Sequence, residues 1–102
     1  MNNLLLEEIS KAIGARLFVQ FNYNGHTYLL EPHLVGQNQR KQDCLCGWSA
    51  NTYNNAPEYI AGWHCFLLEN IKNLKVMEKR FYKTRPEYDP YDNNMSRIYY
   101  RA

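Results

Sequence analysis

Surplus charge of either sign, cysteine in quantity and long apolar runs are all missing from this chain. Twelve Lys and Arg stand against ten Asp and Glu, a formal net charge of +2. The field of the whole molecule is therefore weak, and it neither requires nor excludes a polyanionic partner. Three cysteines are odd in number and too few for the disulfide framework of a small secreted domain, so reduced thiols are the expectation. No apolar stretch approaches the roughly 20 residues that cross a bilayer as a helix. The N-terminus lacks the charged-then-apolar layout of a secretion signal. These absences predict a cytoplasmic protein with no membrane partner. No repeat or low-complexity tract is present, and 102 residues suit one domain, 1–102, around one core.

What is present is aromatic: nine Tyr and four Phe, residues that favour strands. The stretch from Arg16 to Leu34 organises the rest. Asn24-Gly25 is the strongest short-range hairpin signal, because a type I′ turn needs φ > 0 at both central residues. Phe18 to Tyr23 reads as one strand and His26 to Glu31 as its antiparallel partner, closed by Pro32, which cannot donate to a ladder.

Upstream, Asn2 or Asn3 can cap a helix over 1–15. Leu5, Leu6, Ile9, Ala12 and Ile13 form one apolar stripe, Glu7 and Glu8 suit the early turns, and Gly14 marks a stop. Downstream, Gly36 to Gln42 reads as a polar loop. Asp43 to Ser49 reads as a third strand, with Cys44, Cys46 and Trp48 on one face and Leu45 on the other, hence covered on both sides. Asn51 to Glu58 is a loop. Tyr59 to Leu68 is a fourth strand with Trp63, Cys65 and Leu67 on one parity, Glu69-Asn70 a turn, and Ile71 to Phe81 a fifth strand. The tail carries tyrosines at 88, 91, 99 and 100, too aromatic for a disordered segment. Ser96 to Tyr100 is expected to form a short extra strand or a partner-facing segment. The fold class expected is mainly β: an N-terminal helix (1–15), a five-stranded SH3-like or Sm-like small barrel (16–81) and an aromatic C-terminal extension (82–102).

This order and spacing resembles the WYL domain. The residues that carry the likeness are Ala12-Ile13, Val19-x-Phe21-x-Tyr23, Pro32, Leu45, Phe66-x-Leu68-x-x-Ile71-x-x-Leu74 and Phe81, spanning 9 to 81. The resemblance implies an Sm-like β-barrel that senses a ligand in bacterial transcription regulation or phage defence. It also implies single-stranded nucleic acid or a nucleotide bound on a basic face. The naming Trp-Tyr-Leu motif is here Asp43-Cys44-Leu45, which keeps only the leucine. The family's arginine four residues before the proline falls on Tyr28, and two further basic positions fall on His64 and Asn70. No helix-turn-helix precedes these residues, so the expectation is a stand-alone copy.

Three constellations could carry chemistry. Cys44, Cys46, His64 and Cys65 have the composition of a zinc site. Alternation along a strand, however, points His64 and Cys65 to opposite faces, so no metal and no other cofactor is expected. A Cys-His nucleophile needs an orienting third group and an oxyanion hole, and nothing marks either, so no catalytic residue is assigned. The third constellation is basic. Lys72, Lys75, Lys79, Arg80, Lys83 and Arg85 stand against Glu78 alone, interleaved with Phe81 and Tyr82 and followed by Arg97, Tyr99, Tyr100 and Arg101. Cations for phosphates with aromatic platforms for bases are what single-strand binding uses. The plainer reading is a lysine-rich edge strand that resists edge pairing. Trp48 and Trp63, in central strands, read as core.

The function expected is a non-enzymatic ligand-sensing module for a nucleotide or single-stranded nucleic acid. Its binding residues are Lys72, Lys75, Lys79, Arg80, Tyr82, Lys83 and Arg85, with His64 and Tyr28 at the positions the resemblance marks. The alternative is a protein–protein or self-association module that has lost the ligand site, with a homodimer formed through the C-terminal tail.

Overall fold

The computed structural model describes residues 3–49, 62–84, 88 and 95–102. Helix α1 (Asn3–Ala15) lays Ile9, Ala12 and Ile13 into the core, each at most 1% exposed, as the apolar stripe predicts. The stop lies later than expected. The helix continues through Gly14, and Arg16 takes the left-handed φ of 56° that ends it. Gly14 instead makes room for the tail: a Cβ there would lie 3.0 Å from the Tyr100 hydroxyl.

Strands β1 (Leu17–Tyr23) and β2 (His26–Asn38) form the expected hairpin. Asn24 and Gly25 take φ of 51° and 83°, and Tyr23 pairs with His26. Strand β2 does not end at Pro32. The register of β2 against β3 (Asp43–Ser49) shifts between Pro32 and Leu34 and leaves His33 as the extra residue of a bulge. A residue without an N–H fits at such an irregularity. Gly47 lies opposite Pro32, where a Cβ would overlap the Glu31 carbonyl oxygen. The fully buried His33 holds the bulge from inside, its Nδ1–H donating to the Glu31 carbonyl at 2.7 Å. Gly36 to Asn38, expected in a loop, complete β2. The turn is shorter and is organised by Asn38, whose Oδ1 accepts the backbone N–H of Arg40 and Gln42 at 2.9 and 3.0 Å.

Strand β4 (Gly62–Leu67) leads through a 3₁₀ turn (Leu68–Asn70) into β5 (Ile71–Arg80), and β6 (Met95–Arg101) comes from the tail. Every pairing is antiparallel, in the order β4-β3-β2-β1-β5. Strand β6 takes β2 from Leu34 to Asn38, beyond the residues that β1 occupies. The start of the expected fourth strand (59–61), the loop 51–58 and Tyr91 lie outside the described residues.

The sheet is strongly curled. Phe66 on β4 meets Phe21 and Tyr23 on β1 with ring centroids 5.0 Å apart in each case, although two strands separate β4 from β1. The Leu67 N–H donates to the Tyr23 hydroxyl at 3.1 Å. Inside the curl, Val19, Phe21, Leu30, Val35, Leu45, Phe66, Leu68 and Ile71 pack under α1. On the other face Leu34, Cys44, Cys46 and Met95 pack with Trp63, Leu67, Tyr88 and Ile98. The opposite placement of Leu45 and Cys44/Cys46 is the two-sided covering that the third strand's composition predicts. No ladder joins the two ends of the sheet, β4 and β5, among the described residues.

The cysteine expectation is corrected. Cys46 and Cys65, paired across β3 and β4, form a disulfide, and Cys44 keeps its thiol. Parity sets Cys44 and Cys46 together on the third strand and Cys65 with Trp63 and Leu67 on the fourth, and the register of the two strands places Cys46 directly opposite Cys65. The cysteine count therefore no longer argues for a reducing compartment. No helix among the described residues is long and apolar enough to cross a membrane.

Candidate functional site

The end of β5 is where the basic residues converge. Inward alternation of Val19 and Phe21 turns Phe18, Gln20 and Asn22 outward, and Lys75 and Lys72 pair with Gln20 and Asn22. Both lysines are exposed on this outer face. Asn73, at φ 56°, lies at the first irregularity in the β1–β5 ladder. A second irregularity leaves Met77 to Lys79 opposite Phe18 alone. There the Lys79 Nζ stands 5.0 Å above the Phe18 ring, a cation–π contact.

Beyond Arg80 the chain leaves the sheet and folds back over its own outer face. Phe81 is buried, edge-on to Phe18 at 6.1 Å and stacked on His33 at 5.0 Å. Arg16 pins the crossing: its carbonyl accepts the Phe81 N–H at 2.9 Å, and its guanidinium donates to the Tyr82 carbonyl at 3.3 Å. The result is a pocket of about 570 Å³ lined by Phe18, Glu31, Lys79, Arg80, Phe81, Tyr82, Lys83 and Thr84. A second hollow, of about 520 Å³ and bounded by Gly14, Ala15 and Arg16, shares Arg80, Phe81 and Tyr82 with it. Tyr82 is 83% exposed.

Four of the predicted binding residues, Lys79, Arg80, Tyr82 and Lys83, thus meet around one pocket. Lys75 continues along the outer face of β5, and Lys72 borders a separate hollow of about 410 Å³ beside the Asn24-Gly25 turn. Two predicted residues lie elsewhere. Tyr28 is half-buried among aromatic rings, 4.9 Å from Phe66 and 5.9 Å from Phe21. His64 is exposed on β4, its ring 6.2 Å from Phe66. Arg85 lies outside the described residues.

Three contributors to the pocket were not singled out from the sequence. Phe18 could have been found as the one aromatic on the outward parity of β1. Glu31 stands out as the one carboxylate of β2, and it is 2% exposed. Arg16 gave no sequence signal, because its role depends on a carbonyl 66 residues away.

The tail forms a second polar feature. The Tyr99 hydroxyl donates to Asp43 Oδ1 at 2.7 Å, and Arg97 stands 5.7 Å over the Tyr99 ring. The hydrogen bond to Asp43 raises the Tyr99 pKa above the ordinary tyrosine value, with burial and the Asp43 charge adding to it and Arg97 opposing it. Among the described residues no three His, Cys, Asp or Glu side chains converge on a point that could hold a metal ion. Of the four candidate zinc ligands, Cys46 and Cys65 are bonded to each other. Comparison with family models, with curated proteins and with solved structures finds no match.

Proposed function

We propose that this chain is a non-enzymatic, WYL-like ligand-binding module, and that its ligand is a nucleotide or single-stranded nucleic acid. One observation carries the reading: Lys79, Arg80 and Lys83 surround a pocket whose walls are Phe18, Phe81 and the exposed ring of Tyr82. Cations at the rim hold phosphate, and a free aromatic face stacks a base. The lysines at 72 and 75 extend the basic strip along β5, as a strand longer than one nucleotide would use. The strong curl of the antiparallel sheet, with a 3₁₀ turn between β4 and β5, supports the SH3-like or Sm-like barrel reading. A cytoplasmic setting is where such ligands are met.

The test is titration of the protein with mixed-sequence oligonucleotides and with mononucleotides, from low to moderate salt. Binding that weakens as salt rises supports the proposal. No binding to either at low salt overturns it. The second reading, self-association through the tail, is favoured by the exposure of Tyr82 and Tyr100, which are 83% and 41% accessible. It predicts concentration-dependent sedimentation that changing Tyr82 or Tyr100 to Ala abolishes.

A further inference from the structure

Helix α1 carries a second pattern on its outward side. At about 3.6 residues per turn, Ile9, Ala12 and Ile13 face the sheet, while Leu4, Glu7, Lys11 and Gly14 form one exposed stripe on the opposite side. Their spacing alternates between three and four residues, as it does along the line where two helices pack together. Leu4 is 67% exposed, the most accessible aliphatic side chain among the described residues. Beside the stripe runs a groove of about 800 Å³, walled by Tyr99 and Tyr100 of β6 on one side and by Leu6, Ser10 and Gly14 of the helix on the other. Tyr100 lies against Gly14, where a Cβ would come within 3.0 Å of its hydroxyl.

The stripe is complementary to itself when reversed. Leu4 lies as far before Ile9 as Gly14 lies after it, and Glu7 as far before as Lys11 after. A second copy laid antiparallel, with a two-fold axis at the level of Ile9, therefore sets Leu4 against Gly14 and Glu7 against Lys11, each contact occurring twice. A parallel copy would set Glu7 on Glu7 and Lys11 on Lys11, like charge on like. We infer that α1 joins two copies of this chain as an antiparallel, two-fold symmetric dimer. Leu4 of the second copy fills the space left by the absent side chain of Gly14 and packs on the Tyr100 ring, and the charge pairs fix direction and register. The surface is the same on both copies, so the contact closes at two. One helix and one tyrosine make a patch smaller than the roughly 1,200–2,000 Å² of stable complexes, so the dimer is weak and depends on concentration. The inference does not rest on the nucleotide reading, since it uses none of the β5 lysines.

Sedimentation of the full chain over a wide concentration range at low salt tests it. The wild type should pass from monomer to dimer as concentration rises. Glu7→Lys and Lys11→Glu each put like charges across both contacts and should each weaken dimerisation about tenfold. Mixed in equal amounts, the two variants should pair with each other about as tightly as the wild type pairs with itself, because every contact of the mixed pair again joins opposite charges. Leu4→Ala, which trims the apolar contact twice per dimer, should also weaken association about tenfold. All three positions are exposed, and melting curves check that each variant folds. A wild type that stays monomeric at the highest concentration, or that grows past a dimer, overturns the inference. Self-association that neither charge substitution weakens also overturns it and leaves association through the tail standing. Single variants that weaken the dimer but do not recover on mixing overturn the two-fold pairing.

Discussion

Cys46 and Cys65 oppose each other across β3 and β4 and are joined by a disulfide, with Cys46 buried in the outer core and Cys65 at the surface. The bond ties the outermost strand of the curl to its neighbour. It closes a loop with a sequence separation of 19, and a loop of about that length restricts the unfolded chain by roughly 3 kcal/mol. Reduction, or Cys65→Ser, should lower the unfolding free energy by about 2–4 kcal/mol in urea titration. Alkylation of the unreduced, unfolded protein should label one thiol only, that of Cys44. In the folded state that thiol should resist labelling, because it is buried against Met95 with the sulfurs 3.7 Å apart.

Gly47 is irreplaceable for a different reason. Its backbone faces the bulge at Glu31 to His33, and any Cβ would overlap the Glu31 carbonyl. The overlap is with main chain, which cannot rotate aside as a side-chain tip can. Gly47→Ala should therefore destabilise the fold by about 1–3 kcal/mol. It should also shift the amide resonances of His33 and Leu34, which a simple loss of strand propensity would not do.

These two positions show what was legible in the sequence and what was not. Local signals read well. The Asn24-Gly25 turn, the helical stripe of Ile9, Ala12 and Ile13 and the two-faced third strand follow from nearest-neighbour rules of turn chemistry and periodicity, whereas the aromatic content of the tail left a short strand and a partner-facing segment both open, and the strand is what forms. Non-local consequences did not read. A proline breaks a regular ladder and so marks Pro32 as a strand end, but the bulge at His33 absorbs it, and Gly47, fifteen positions after Pro32, leaves room for the bulge. The cysteine pairing depends on the register of β3 against β4, which parity constrains only to a face. The basic cluster was legible as composition. That Lys79, Arg80, Tyr82 and Lys83 enclose a pocket, while Tyr28 and His64 sit by Phe66, required the chain to turn back at Phe81 and be pinned by Arg16.

The tail is held by a bond whose strength depends on pH. Tyr99 donates to Asp43 at 2.7 Å, and that bond, with burial and the Asp43 charge, raises its pKa from 10.0. A group whose folded-state pKa lies above its unfolded value stabilises the fold fully below the unfolded value. That contribution is lost as pH rises through the folded value. The wild type should therefore lose stability relative to Tyr99→Phe above pH 10, and the difference between the two should be constant between pH 7 and 9. At neutral pH the variant should be less stable by about 1 kcal/mol, the usual net worth of such a bond. Urea midpoints at several pH values measure both effects.

On the proposed reading, the basic strip should separate a short ligand from a long one. Lys79, Arg80 and Lys83 line the pocket, whereas Lys75 and Lys72 lie further along the outer face of β5 opposite Gln20 and Asn22. Each phosphate neutralised on a single strand adds about 0.7 to the slope of log K against log salt. Changing Lys79, Arg80 and Lys83 together to Ala should weaken oligonucleotide binding and flatten that slope by about two units. Changing Lys72 and Lys75 to Ala should flatten it by about one unit for an oligonucleotide and leave mononucleotide affinity unchanged, because those lysines lie beyond the reach of a single phosphate at the pocket mouth. Tyr82→Ala should cost about 1–3 kcal/mol in affinity for either ligand with little change in slope, since stacking releases no counterions. Tyr82 is 83% exposed, so this variant should fold normally and its loss should report on binding alone. If instead the Lys72/Lys75 variant loses mononucleotide affinity as strongly as the pocket variant does, the phosphate sits on the strand and not at the pocket.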